Sequence, residues 1–281
     1  MNNFINKINS IHSLIFFLAA TIYSISVYKF KLMQLSPLMC FFLILIIGVS
    51  HGAYDHIKGR SLLKIYKINN IFIFYLSYIL VGLIVIFTWF VTPSISLLIF
   101  LIFASFHFGK EDSQFILKNR SIAYSIFFVF KGLLIVTAPL YFNFVETINI
   151  FKLLLIENEN FYRYLDWIES KNILITLISL SFLINILLTI VNFKISNLTL
   201  LLDFASILIL NYFLSPLVAF TIYFCFLHSI RHIIAIVNEV NNINFYDGLK
   251  EFIKIYSINF IYNSNDVPNR MKKTKIYRKC D

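Results

Sequence analysis

Residues 92–112 read TPSISLLIFLIFASFHFGKED. The stretch opens on Thr92-Pro93, a helix-start signal in which a hydroxyl residue takes the N-cap and proline the first helical position. Apolar residues then dominate as far as Phe106. A helix from Pro93 to Lys110 would rise about 27 Å, close to the ~30 Å hydrocarbon layer of a bilayer. His107 therefore sits at membrane depth, where ionisable groups are rare and costly unless something compensates them.

The pattern recurs twice. Ser36-Pro37 opens an apolar run that reaches His51-Gly52-Ala53-Tyr54-Asp55-His56, and Ser215-Pro216 opens one that reaches His228-Ser229-Ile230-Arg231-His232. Five of the six histidines lie in these three clusters. Neutral imidazole is the commonest metal ligand, so a bound metal is the simplest compensation.

Composition supports the membrane reading. The 281 residues are 59% hydrophobic and only 14% charged, whereas a soluble domain carries about 25% charged residues. The net charge of +10 does not point to nucleic acid. The basic residues fall in loops and in the tail Arg270–Lys275, where they orient helices and meet anionic lipid. Cys40, Cys225 and Cys280 are odd in number and dispersed, against a disulfide framework. The first apolar run, from about Ser13, has no small-residue cleavage site and reads as a transmembrane helix rather than a cleaved signal.

Apolar runs predict an all-α, polytopic integral membrane helix bundle of about eight transmembrane helices: 13–28, 37–56, 70–91, 93–110, 121–142, 172–193, 198–214 and 216–237. The loop bias of Lys and Arg favours cytoplasmic N- and C-termini in the cell inner (plasma) membrane. Residues 1–240 are expected to form one transmembrane catalytic domain. Residues 241–281 are expected to form a polar, basic tail with an interfacial amphipathic stretch near Phe245–Tyr262. His12, at the start of the first helix, is expected to be interfacial and without a role in function.

Depth brings the clusters together. His51 and His107 each lie fourteen residues beyond their proline, His228 twelve and His232 sixteen. At ~1.5 Å per residue the depths are about 21, 21, 18 and 24 Å. The three helices are all even-numbered and so run in one direction, and the four histidines share one slab of the membrane. His228 and His232, four apart, share a helix face. His51 and His56, five apart, diverge by about 140° on an α-helix. His51, at the matching depth, is therefore taken as the ligand, with His56 beside it.

Four imidazoles would close a tetrahedral zinc shell, whereas a six-coordinate ion keeps two positions open, which suits Fe(2+) that engages O2. Asp55, Asp112 and Glu111 flank the clusters and can accept the second ring N–H of a ligand histidine. Tyr54, Phe103, Phe106, Phe108, Tyr223 and Phe224 surround the histidines and can line an apolar tunnel. Gly52 directly follows His51 and Gly109 lies two residues after His107, where small residues allow close helix approach.

Three ordered motifs carry a resemblance: Gly48-Val49-Ser50-His51-Gly52-Ala53-Tyr54-Asp55-His56, Ser105-Phe106-His107-Phe108-Gly109-Lys110-Glu111-Asp112, and His228-Ser229-Ile230-Arg231-His232. In order, spacing and membrane context they resemble the Brp/Blh-like β-carotene 15,15′-dioxygenase family. The resemblance implies an iron-dependent oxidoreductase that splits β-carotene at its central double bond with O2. Its product would be two all-trans-retinal, a supply for a retinal-binding microbial rhodopsin. It also implies that His51, His107, His228 and His232 occupy the family's iron-ligand positions.

Rival classes are a His-rich zinc-dependent membrane hydrolase and a non-catalytic haem or metal carrier. Against the first, no Glu lies between His228 and His232, so His-Glu-x-x-His fails. A di-iron enzyme needs several more ligands than six histidines provide.

Overall fold

The computed structural model describes residues 2–48, 55–116, 122–154, 158–191, 198–241 and 243–261. Among these no strand occurs, and the helices follow one another in short order. They are α1 (Asn2–Phe30), α2 (Pro37–Leu43, continued by a π-helical turn at Ile44–Gly48), α3 (Asp55–Ile65), α4 (Ile71–Val91), α5 (Pro93–Glu111) and α6 (Ile122–Phe142). Then come α7 (Phe144–Leu153), α8 (Glu159–Ser170), α9 (Ile173–Val191) and α10 (Leu198–Phe213). The last are α11 (Pro216–Ile222, continued by a π-helical turn at Tyr223–His228), α12 (Ser229–Val240) and α13 (Phe245–Ile261).

Five helices are long and apolar enough to cross a membrane: Phe4–Phe30, Ile71–Val91, Pro93–Glu111, Ser125–Phe142 and Pro216–Val240. The pair Glu159–Ser170 and Ile173–Leu187, bent by 64°, makes a sixth candidate. The two remaining expected spans correspond to shorter apolar helices, Pro37–Ile47 and Leu198–Phe213. Residues 49–54, which follow the first, lie outside the described set. The second, at sixteen residues, rises about 24 Å and is sheathed by protein. Its Leu200, Asp203, Phe204, Ser206, Ile207 and Leu210 are all buried. The structure thus supports five or six spans.

The three Pro-initiated helices begin where expected. Ser36 accepts a bond from the Met39 amide at 3.2 Å. Thr92 and Ser215 occupy the N-cap without a side-chain cap bond. Thr92 instead turns its hydroxyl back onto the Thr88 carbonyl of α4 at 3.2 Å, which satisfies that donor at the turn between the two helices.

The main core joins α1, α6, α10 and the α11–π segment through Phe16, Leu134, Phe204, Leu210, Tyr223 and Leu227. α4 has no buried residue, as suits a helix on the lipid side of the bundle. α13 lays Phe252 and Leu249 against Ile236 and Val237 of α12. Its apolar face thus packs on the bundle.

Two contacts fix the geometry around the histidines. The first is backbone on backbone. A Cβ placed on Gly109 of α5 would lie 1.8 Å from the Phe128 carbonyl oxygen of α6, and one placed on Gly132 of α6 would lie 1.8 Å from the Ser105 carbonyl oxygen of α5. Only glycine at both positions permits this approach. The second is a buried charge cluster. Arg231 of α12 forms two bonds with the Asp203 carboxylate of α10, at 2.6 and 2.8 Å. Lys131 of α6 lies 3.7 Å from the same carboxylate. Arg231 also bonds Ser13 of α1. Both cations donate to the Asp112 backbone carbonyl, Lys131 at 3.1 Å and Arg231 at 3.0 Å. That carbonyl is at the C-terminus of α5, the negative end of the helix dipole.

We expect Gly132→Ala to destabilise the protein by about 1–3 kcal/mol or more, measured as the thermal denaturation midpoint in detergent. Gly82→Ala in α4, where the added Cβ meets nothing within 4 Å, should stay within about 0.5 kcal/mol of wild type. Equal midpoints would contradict the close-approach account. Asp203→Asn leaves two buried cations short of their counter-charge and should cost about 3–5 kcal/mol. Glu239→Gln on exposed surface is its control, and parity between these two would refute the role given to the cluster.

Candidate active site

α5 and the α11–α12 helix meet in parallel, rung against rung. The His107 and His228 ring centroids lie 5.3 Å apart. One turn on, Glu111 Oε2 lies 3.2 Å from His232 Nδ1. Each helix contributes residues four apart, which share a face. The parallel run is the direction that the Pro-to-His counts required for these two helices.

Asp112 caps α5 and joins the rungs. His228 Nδ1 lies 3.0 Å from its Oδ1. The Tyr223 hydroxyl donates to its Oδ2 at 2.6 Å. Tyr223 and His228 are five residues apart, and on a regular α-helix they would point about 140° away from each other. Tyr223–His228 is a π-helical turn, whose i→i+5 repeat brings such residues onto one face. The local distortion is what lets two side chains of one helix grip two oxygens of one carboxylate. Two acidic groups thus hold the Nδ1 atoms of His228 and His232. A neutral imidazole that donates from Nδ1 presents its Nε2 lone pair outward.

An aromatic wall stands beside the imidazoles. Phe108 packs edge-on to His228 at 4.7 Å, and to Tyr223 at 5.7 Å. Phe224 stacks almost parallel to His228, at 5.8 Å and 19°, and Phe220 stacks on Phe224 at 5.5 Å and 14°. His228 and Tyr223 are buried, whereas His107 is exposed among the described residues.

The remaining expected site residues are placed as follows. His51 and Tyr54 lie outside the described residues. Asp55 and His56 begin α3, and only their backbone is described. Phe106 packs on Phe128 of α6 at 6.2 Å, and Phe103 is 68% exposed on the outer face of α5. Of the tunnel candidates, Phe108, Tyr223 and Phe224 are the ones beside His228. Among the described residues no group of three His, Cys, Asp or Glu side chains is arranged to hold a metal ion.

Several contributors were not foreseen. Lys131 and Asp203 are single charges within otherwise apolar runs, the signal that marks an intramembrane functional or paired group. The phenol role of Tyr223 depends on the π turn, which residue spacing on a regular helix conceals. His12, expected at the start of the first helix, is half-buried there, with Nε2 2.8 Å from the Phe226 carbonyl.

No curated protein and no solved structure matches the chain. The sequence profile described as beta-carotene 15,15'-dioxygenase matches residues 42–260. This span holds all three histidine clusters, the charge cluster's Lys131, Asp203 and Arg231, and both glycines of the α5–α6 contact. The chain belongs to the β-carotene 15,15′-dioxygenase family.

Proposed function

We propose that this membrane protein is an Fe(2+)-dependent oxygenase that cleaves β-carotene at its central 15,15′ double bond with O2, giving two all-trans-retinal. The observation that carries the reading is the contact of the His107 and His228 rings, with carboxylates on the Nδ1 atoms of His228 and of His232 one turn on, in a chain of this family. The proposed iron ligands are these three histidines together with His51.

The donor chemistry fits such an ion. Carboxylates that hold Nδ1 fix the tautomer and aim Nε2, the arrangement common to metal-bound histidines. Imidazoles sharing one cation through bonds of about 2.0–2.1 Å have ring centroids roughly 5 Å apart, and the His107–His228 spacing is 5.3 Å. Imidazole donors suit iron as they suit zinc, and four of them would leave a six-coordinate ferrous ion two open positions. When bound, the iron supplies the activation of O2.

The residues do the rest. Asp112, pinned by Lys131, Arg231 and Tyr223, keeps the His228 ring from rotating. Phe108, Phe220 and Phe224 offer flat apolar faces to a rigid polyene and exclude water from the reacting bond. One carotene and one O2 become two aldehydes with no proton gained or lost, so no acid–base side chain is required. Carotene enters from the bilayer and retinal returns to it, where a retinal-binding rhodopsin can take it up.

Expression in a β-carotene-accumulating bacterial host should bleach the cells and yield retinal by chromatography. Folded, iron-loaded protein with the carotene intact would refute the activity. His228→Ala and His107→Ala should each abolish both iron binding and retinal formation. Wild-type iron content in either variant would refute its ligand role. Asp112→Asn should lower iron affinity by about 10–100-fold, read by chelator competition, and unchanged affinity would remove Asp112 from the site. Zinc as the metal retained on purification would favour a hydrolase instead.

A further inference from the structure

α1 lies outside the part of the chain that the family profile matches, yet two consecutive side chains of α1 reach the site. Ser13 bonds Arg231. His12 Nε2 lies 2.8 Å from the Phe226 carbonyl oxygen. A carbonyl only accepts, so the ring is the donor. Phe226 sits within the π turn, two residues before His228.

A π turn interrupts a helix that is otherwise regular on both sides, and such turns persist where surrounding contacts hold them. Here the turn is held at three places. Ser229 donates its hydroxyl to the Phe224 carbonyl at 2.7 Å from within the same helix. Tyr223 is tied to Asp112 at its first residue. His12 reaches its middle from another helix. If the turn relaxed to α-helix, His228 and Tyr223 would point about 140° apart and His228 would lose its place on Asp112.

We infer that His12 is a positioning residue of the histidine site: its Nε2–H, on the Phe226 carbonyl, holds the π turn in the form that aims Tyr223 and His228 at one carboxylate. The inference rests on the proposed metal-binding role of His228. A bond that merely joined α1 to the bundle would affect thermal stability alone. A positioning bond also governs how His228 meets a cation.

The test pairs His12→Gln with His12→Met in the full-length protein, purified without metal in detergent and titrated with Co(2+). The two replacements are of similar length, and only the amide donates. Wild type and His12→Gln should bind cobalt with the same affinity and the same visible d–d spectrum. His12→Met should bind about tenfold more weakly with an altered spectrum, measured on protein that elutes as a folded monodisperse peak. A Met variant with wild-type affinity and spectrum overturns the inference and leaves the metal reading intact. So does a folded Gln variant with lost affinity, and this arm decides the matter should the Met variant fail to accumulate. A wild type that takes up no cobalt overturns both.

Discussion

Asp112 is held from both of its ends, and the geometry of the site depends on it. Its carboxylate takes one bond from Tyr223 and one from His228, while its backbone carbonyl takes one from Lys131 and one from Arg231. Two formal cations beside one carbonyl would be intolerable in a low-dielectric layer without counter-charge. Asp203 supplies one such charge to both of them, and the Asp112 carboxylate balances the other. The result is a neutral buried group of two acids and two bases drawn from α5, α6, α10 and α12. Removing any one member exposes the rest to the full desolvation penalty.

Most of the architecture was open to reading because hydrocarbon imposes a simple rule. Each apolar run long enough to span must be helical, since no water is present to satisfy an open backbone. The eight runs read from the sequence correspond to helices, six of them spans or parts of a bent span and two of them shorter. The shortfall at 198–214 has a clear cause. A helix encased in protein need not match the bilayer, and apolarity does not distinguish encasement in protein from exposure to lipid. The shared level of His107 and His228 was equally legible, because proline marks a start and the rise per residue is constant.

What escaped notice was whatever departs from that constant rise or pairs across distant sequence. The turn at Tyr223–His228 breaks the 100° step, and nothing in the residues YFCFLH announces it. A second π turn at Ile44–Gly48 precedes the first histidine cluster, so angular arguments built on ideal helices lose force on that helix as well. The partnership of Asp203 with Arg231 spans 28 positions, and that of Ser13 with Arg231 spans 218. Spacing rules for one helix cannot foresee either. His12 shows the same limitation: its bond to the Phe226 carbonyl spans 214 positions, beyond the reach of any spacing rule.

The reciprocal contact of Gly109 and Gly132 carries a consequence for how this pair of helices can change. Each glycine faces a main-chain oxygen of the opposite helix rather than a side chain. A methyl group gained on one helix therefore has no counterpart that could be trimmed on the other, since hydrogen is already the smallest substituent. The separation of α5 from α6 stands at the lower limit that two polypeptides allow, and drift in sequence can move them only apart. Because His107, Glu111 and Asp112 ride on the same stretch of α5, that floor doubles as a ruler for the spacing between the histidine face and the basic residue behind it.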